Sequence, residues 1–545
     1  MKPNDRAMGG PAIDIDVMNT SIRDLLEGAV AAVPEKVYLY FADQEITYRQ
    51  FNARVNQVAN ALLSWGLCKG NMVGMFMGNH PEMLYTYFAA AKIGAVMVPM
   101  NIGYPPEELA YAIGHSEQQL LIADLQLRSV VEEARLRCPR LREVVYVSKQ
   151  PLSGSRTFAE FIAGQPETLE PTDVKADDLV SCIYTSGTTA RPKGVLLDQR
   201  AYLLGAEFWG GAVKFGPSDR LLSVFPLFHA NCGVYLVIGA VLYRCSLIVL
   251  ETFSAKGFWD AARRYGATYA NTVGSISAIL FAQPPSDADR EHQITRVLNG
   301  INVGGIKAEF EKRFGLTMCD GYSLTECLTG CAERLDDLAT RTPGRLYTIG
   351  RPADRVQLRL VGDDGKDVPV GQVGEIWLKG PAICRGYFKD PQKTAEAIVD
   401  GWLRTGDNAR MDEEGYLYFA DRKKDMIKRR GENIASAEVE RVLNSHPKVQ
   451  ESAVIGVPDL YADEEVKAYI VLKPGEEWAP EDVIEYCREY LEPFKIPRYI
   501  EFRASLPKGK VLPKIMKTEL RAEKPDLTEG CYDRGPKLPP PKAKV

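Results

Sequence analysis

The sequence predicts an α/β protein: a large N-terminal domain of α/β layers with a β-rich subdomain, residues 1–421, followed by a small α+β C-terminal domain, residues 422–524. Three features carry this reading. Apolar strand-like runs alternate with helical segments from Thr47 to Leu250, the pattern of a sheet covered by helices. Beyond Ile349 the runs shorten and turn residues such as Gly362-Asp363-Asp364-Gly365 separate them, as in a β-rich layer. A charged stretch from Asp421 to Arg430 then leads into a last unit whose helix and strands are few and short.

The elements follow in order. Thr47 and Gln50 form a capping-box pattern, Phe51, Val55, Val58 and Leu62 recur at helical spacing, and Gly66 stops the helix. Met72–Met77 reads as a buried strand. Pro81 suits the first turn of a helix containing Leu84 and Phe88, and Val96–Val98 returns as a strand. Further strands are predicted at Leu120–Ala123, Val144–Val147, Leu179–Tyr184, Arg220–Val224 and Ser246–Leu250, with Val356–Leu360 and Glu375–Leu378 in the β-rich layer. The last unit is predicted to hold a helix over Ser436–Leu443 and strands near Val454 and over Ala468–Leu472. The segment 525–545 is rich in Pro and Lys and is predicted to be a disordered tail.

Composition excludes several classes. The 545 residues suffice for several cores, and 45% hydrophobic with 26% charged residues is ordinary for a globular chain. Lys plus Arg is 67 against 72 Asp plus Glu, so a net charge of −5 offers no global attraction for nucleic acid or anionic membrane. The longest apolar run, Cys232–Tyr243, is too short to span a membrane, which takes roughly 18 residues or more. The N-terminal sequence lacks the apolar core of a secretory signal. Eleven Cys without CxxC spacing fit reduced thiols, and cytoplasmic placement is expected. Five His without metal-ligand spacing disfavour a His-built metal centre.

Chemistry concentrates first in Tyr184-Thr-Ser-Gly-Thr-Thr-Ala-Arg-Pro-Lys-Gly194. The loop follows a strand and collects groups suited to phosphate. Gly187 lets backbone amides approach an anion, the hydroxyls of Thr185, Ser186, Thr188 and Thr189 can donate to phosphoryl oxygens, and Lys193 adds positive charge. It is not the GxxxxGK[ST] loop, because Lys193 lies six positions after Gly187.

This string resembles the signature of the adenylate-forming superfamily of acyl-CoA synthetases, aryl-CoA ligases, luciferases and peptide-synthetase adenylation domains. Ala190 stands where that signature has Gly, which would cost on the order of 1 kcal/mol if the loop needs a positive φ there. Further similar motifs follow in the family's order, so the resemblance covers residues 20–521. It implies a large ATP-handling domain with a small mobile C-terminal domain, and the co-substrates ATP, Mg²⁺ and CoA with a small carboxylic acid.

The resemblance also implies roles residue by residue. In Asp320-Gly321-Tyr322-Ser323-Leu324-Thr325-Glu326, Asp320 to Ser323 would line the nucleotide site, Thr325 would contact phosphate and Glu326 would bind Mg²⁺. Asp407, in Thr405-Gly406-Asp407, would accept both ribose hydroxyls, and Arg422 would also reach the ribose. Lys424 would be the pivot between domains, and the backbone around Gly431 would line the thiol channel. Gly304 and Gly305 would lie against adenine and the acyl chain.

The family's C-terminal catalytic Lys corresponds here to Lys514 or Lys510. Lys514 is favoured because one added residue then restores both flanks of the motif. His229 matches a position beside the acyl site, where it would orient the carboxylate or gate the pocket; a packed structural His is the other reading. Asn231, Val273, Gly274, Gly304, Tyr322, Ser323 and Leu328 are candidates for the acyl wall. The segment Ala270–Ile276 is similar to the crotonobetaine and carnitine CoA ligase branch.

The implied reaction is ATP-dependent formation of an acyl-adenylate and then of a CoA thioester, releasing pyrophosphate and AMP. The alternative acceptor is the phosphopantetheine arm of a carrier protein. The identity of the acid is not written in the sequence, and a homodimer stays open.

Overall fold

A computed structural model describes residues 15–185, 191–300, 306–338, 340–422, 425–429, 432–459, 462–509 and 514–535. Thr47 accepts from the Gln50 amide and the Gln50 side chain returns to the Thr47 amide, so the capping box starts the helix Tyr48–Trp65, which ends at a left-handed Gly66. The helix Pro81–Ile93 has Pro at its first turn and buries every residue but Glu82. A helix apolar on all sides lies between two layers, and this one runs between the two large sheets of the N-terminal part.

One sheet, of seven strands among the described residues, has the order Arg156–Thr157, Glu143–Val147, Leu120–Asp124, Met72–Phe76, Val96–Pro99, Leu179–Thr185 and Lys193–Asp198. Its strands are parallel until the last pair, which is antiparallel. The other, of nine, is parallel through Val37–Phe41, Ser246–Val249, Arg220–Ser223, Tyr269–Val273, Arg296–Gly300 and Thr317–Leu324, with antiparallel strands at both edges. In such sheets ligands gather at the carboxyl ends of the strands, and the cavity described below lies there.

An antiparallel layer of Gln357–Val361, Val373–Lys379, Ile398–Val399, Trp402–Met411 and Leu417–Arg422 packs against the far edge, its core formed by Ile376, Leu378, Leu403 and Leu417 with Tyr322 and Ile349. The next described strand, Ile427–Arg429, already belongs to the sheet of the small unit, whose core gathers Val439, Leu443, Val454, Ile470 and Ile484. No helix among the described residues is long and apolar enough to cross a membrane. The apolar run after Ala230 forms the π-helix Asn231–Leu236 and the helix Val237–Leu242 within the core.

Residues 525–535 do not form the expected disordered tail. Leu527 is buried in the small unit, and Tyr532–Asp533 pairs antiparallel with Tyr499–Phe502, an apolar anchor and a strand contact that the Pro and Lys content concealed. Residues 536–545 lie outside the described residues.

Charge is also buried beneath the site. Lys307, at the start of the helix Lys307–Phe314, reaches Asp320 at 2.7 Å and Glu333 at 2.5 Å with all three side chains essentially inaccessible. Asp320 accepts a further bond from Asn299 Nδ2 at 2.8 Å. Burial and the neighbouring Asp320 charge push the Glu333 carboxyl up to about 7 even with the Lys307 ammonium opposing them. Removing one partner of such a cluster strands the others in the interior. Lys307→Met is therefore expected to cost about 3 to 5 kcal/mol, read as a lowered denaturant midpoint; a midpoint within experimental error of the parent contradicts this account.

Candidate active site

A cavity of about 3420 Å³ lies between the carboxyl ends of the nine-stranded sheet, the antiparallel layer and the small unit. Thr185, Lys193, His229, Gly321, Tyr322 and Ser323 line it, together with Thr325, Glu326, Asp407, Arg422 and Lys514. Ser186, Gly187, Thr188, Thr189, Gly304, Gly305, Lys424 and Gly431 lie outside the described residues, as do Ala190 and Lys510.

The phosphate-type loop joins two paired strands. Thr185 ends one and Lys193 opens the next, directly opposite each other in register. Gly194 follows because the strand crosses closely here: a Cβ on it would come within 2.6 Å of Cys182 Sγ. Thr325 and Glu326 form the two-residue tip of another hairpin, between Thr317–Leu324 and Cys327–Ala332, with Leu324 opposite Cys327.

The strand-like segment 384–388 brings the two hairpins together. Its Phe388 amide donates to Gly194 O at 2.7 Å and its Cys384 amide to Glu326 O at 2.8 Å. From this segment Tyr387 donates its hydroxyl to Glu326 Oε1 at 3.0 Å, while Lys193 Nζ lies 4.6 Å from the Tyr387 ring centroid. Tyr387 was not legible as a site residue, since nothing in the order of the chain places it between Lys193 and Glu326.

Asp407 stands on Trp402–Met411, directly across from Arg422 on Leu417–Arg422. Its Oδ2 accepts the Tyr322 hydroxyl at 2.8 Å, and Arg422 Nε lies 3.7 Å from Oδ1. Burial raises the Asp407 carboxyl above its ordinary range; the Tyr322 hydroxyl and the charges of Arg422 and Lys514 oppose that rise. A carboxylate so placed can accept a pair of hydroxyl donors from a ligand.

Lys514 comes from the small unit. Its carbonyl accepts the Gly509 amide at 2.9 Å, and Lys508 bridges Ile515 across the same narrow loop. Its charge acts on both His229 and Asp407. His229 follows the strand Arg220–Ser223, and its carbonyl accepts the amides of Cys232 and Gly233 where the π-helix begins. The ring is exposed to the open cavity, while protein groups crowd around it. Burial and the Lys514 charge push the imidazole down to about 4.

Two expected residues stand elsewhere. Asp320 does not face the cavity: its side chain is fully buried and spoken for by Lys307 and Asn299. Leu328 is likewise fully buried and packs against the helix Gln199–Ala212, where a Cβ on Gly205 would meet its own Cβ at 3.1 Å. Val273 and Gly274 line the cavity as expected. The wall that Leu328 does not supply comes from Trp209, whose indole donates to Leu328 O at 3.0 Å and sits 5.0 Å from the Tyr235 ring. Tyr235 and Ser323 share a hydrogen bond at 2.7 Å. Gly321 is required beside this wall, because a Cβ there would fall 2.5 Å from the Trp209 ring. Trp209 sits in a helix apolar on most faces, so its direction could not be read from periodicity.

No cluster of three His, Cys, Asp or Glu able to hold a metal occurs among the described residues. A single carboxylate beside a phosphate loop nevertheless suits Mg²⁺, which is usually bound by one or two carboxylates plus substrate phosphates. Glu326 fits, since among the described residues only one of its oxygens is engaged, by Tyr387.

Known proteins and family models match most of the chain. The family model for AMP-binding enzymes matches residues 26–388, and that for the AMP-binding enzyme C-terminal domain matches residues 438–510. The chain is similar to a crotonobetaine/carnitine–CoA ligase of Salmonella typhimurium (strain LT2), 32% identical over 514 residues that cover 91% of this chain and 99% of that one. Among solved structures it resembles the anthranilate CoA ligase AuaEII in complex with anthranoyl-AMP, with TM-score 0.86 and 29% identity over 93% of this chain and 97% of that one. It also resembles ATP-bound MatB from Rhodopseudomonas palustris, with TM-score 0.84 and 27% identity over 94% and 100% of the two chains.

The depressed His229 has a direct readout. Its folded pKa lies below the ordinary 6.5, so it takes up a proton only near pH 4 and stays neutral from pH 5.5 to 8. In a histidine NMR titration, the resonance missing from His229→Asn is expected to show no inflection in that range; an inflection near 6.5 contradicts the depressed, neutral ring.

Proposed function

The chain belongs to the AMP-binding enzyme family, and we infer that it is an AMP-forming acid–thiol ligase that activates a carboxylic acid with ATP and passes the acyl group to CoA. The observation that carries this reading is the convergence of Lys193, Glu326, Asp407 and Lys514, from separate elements, on one cavity.

Oxide is a poor leaving group, so a carboxylate cannot be attacked by a thiol directly, and activation comes first. A substrate carboxylate oxygen bonds to the α-phosphorus of ATP, the bond from that phosphorus to the bridging oxygen breaks, and pyrophosphate leaves. Attack by an anion on a polyanion needs cations in place. Lys193, beside the phosphate hairpin, and Lys514, reaching in from the small unit, supply them. Mg²⁺, held by Glu326 together with phosphate oxygens, would add further charge neutralisation.

Asp407 accepts the ribose hydroxyls, with Tyr322 and Arg422 fixing its orientation. Neutral His229 beside the acyl end can donate a hydrogen bond to the substrate carboxylate without adding charge. In the second half-reaction the thiol sulfur bonds to the acyl carbon, the bond from that carbon to the phosphate oxygen breaks, AMP leaves, and the thiol proton passes to solvent. No nucleophilic side chain of the protein is needed.

The acyl wall of Trp209, Tyr235, Ser323 and Val273 offers aromatic faces and hydroxyls but no formal charge. This favours an acid whose far end is apolar, aromatic or cationic over one ending in a second carboxylate. All cysteines among the described residues are free thiols, which suits work in a reducing, cytoplasmic setting.

The test is ATP–pyrophosphate exchange across a panel of acids, followed by thioester formation with CoA. Exchange with no acid of the panel would overturn the reading. Lys514→Ala is expected to lower exchange by about 10²- to 10³-fold while a supplied acyl-adenylate still reacts with CoA; equal loss in both steps contradicts the role given to Lys514. Glu326→Gln is expected to raise the Mg²⁺ concentration for half-maximal exchange by about tenfold or more, and an unchanged requirement removes Glu326 as the metal-binding group.

A further inference from the structure

The helix Lys517–Ala522 starts three residues after Lys514. Its first residue reaches back into the small unit. Lys517 Nζ donates to Ser436 Oγ at 2.6 Å and pairs with Glu440 Oε1 at 2.7 Å, with side-chain exposures of only 17% and 18% for the ion pair. Glu440 Oε1 is fixed in turn by the Val454 amide at 2.7 Å.

Ser436 stands at the start of the helix Ser436–Asn444 and hands the contact on. Its hydroxyl donates to Asp421 Oδ2 at 2.6 Å, and the same oxygen accepts the Ser436 and Ala437 amides at 2.5 and 3.3 Å. Asp421 closes the antiparallel layer beside Arg422, which faces Asp407. The chain of contacts thus runs from the ribose carboxylate region, through Asp421 and Ser436, to Lys517.

Two further ion pairs flank the segment: Lys508 with Glu451 and Arg521 with Asp425, each at 2.8 Å. Lys517 alone among these cations contacts both the first helix of the small unit and, through one hydroxyl, the last strand of the large one.

We propose that Lys517 is a positioning residue for Lys514: its ammonium, clamped between Glu440 and Ser436, sets the segment 514–517 against Asp421 so that the Lys514 ammonium falls beside His229 and Asp407. The proposal rests on the role given to Lys514 above. The physical basis is that an ammonium neutralising charge at a reacting phosphate must be held to within a fraction of an ångström, and a misplacement of about 1 Å can cost roughly 100-fold. Three residues of backbone transmit the position of one side chain to the other. The clamp serves the first half-reaction only, since the thiol step makes no use of Lys514.

The experiment compares the two half-reactions in the full-length protein. Lys517→Met is expected to lower pyrophosphate exchange by about 10- to 100-fold, with the conversion of a supplied acyl-adenylate and CoA to thioester changed by less than about threefold and the KM for ATP by less than about twofold. Lys517→Arg is expected to restore exchange to within about fivefold of the parent, because a guanidinium can still span Glu440 and Ser436. Should Lys517→Met fail to fold, Glu440→Gln carries the test. It keeps the shape and the acceptor for Val454 but removes the charge, and exchange is again expected to fall selectively. Loss in both half-reactions alike, or no loss of exchange in either variant, overturns the proposal. Absence of exchange in the parent protein would instead overturn the functional reading itself, so the two failures are distinguishable.

Discussion

Asp407 is the carboxylate on which the parts of this protein meet. It is largely withdrawn from water, and burial alone would drive it toward the protonated acid. Three neighbours oppose that drift, each from a different part of the fold: the Tyr322 hydroxyl from the nine-stranded sheet, Arg422 from the antiparallel layer, and Lys514 from the small unit. A buried carboxylate balanced in this way is both a sensitive acceptor and a structural constraint. Displacing any one of the three layers changes its charge state or its orientation. The site is therefore a property of the assembled layers rather than of any one of them.

The floor and the walls are built differently, and the difference follows from charge. Beneath the site, Lys307, Asp320, Glu333 and Asn299 are linked to one another with their side chains buried. Such a cluster fixes the strand Thr317–Leu324, which presents Gly321, Tyr322 and Ser323 to the cavity and ends at the Thr325–Glu326 tip. In the walls, by contrast, charged groups face open volume. Lys193 lies over the Tyr387 ring, and Glu326 keeps one oxygen disengaged among the described residues. Groups that face the cavity are left with capacity, and the charged groups beneath it are paired with one another.

Much of this was legible in the sequence, for identifiable reasons. The capping box at Thr47, the Pro-initiated helix at Pro81 and the strands from Met72 onward depend on local rules, and the structure forms them within one or two residues of expectation. The phosphate-type loop and the turn bearing Glu326 carry short motifs whose chemistry is set by residue type. What escaped depends on contacts between distant segments. Asp320 reads as part of a binding motif, and only the arrival of Lys307 from an adjacent helix shows that it is a buried ion-pair partner. Leu328, expected in the acyl wall, is buried away from it, and Trp209, for which there was no expectation, supplies that wall because a helical residue's direction is decided by what the helix packs on. Tyr387 lies 194 residues after Lys193 and becomes its neighbour only through the segment 384–388. The residues after Lys524 looked like a tail because composition reports solvation, whereas the single buried Leu527 and one strand pairing decide the outcome.

The two half-reactions impose opposite electrostatic demands, and the distribution of cations between the units answers both. Joining a carboxylate to a polyphosphate brings like charges together, so positive charge must be dense at that moment. Attack by a thiol on the resulting anhydride needs a clear approach to the acyl carbon, and a lysine reaching in over the site would obstruct it. A cation fixed on the large unit would serve the first demand and hinder the second. Lys193 is such a fixed cation, but it stands at the phosphate hairpin, away from the acyl wall of Trp209, Tyr235 and Ser323. Lys514 lines the same cavity as His229 and Asp407, and it is carried by the small unit. Placing the obstructing charge on the small unit, where Lys517 is held by Glu440 and Ser436, suits a cavity that must be strongly cationic for activation and accessible for transfer.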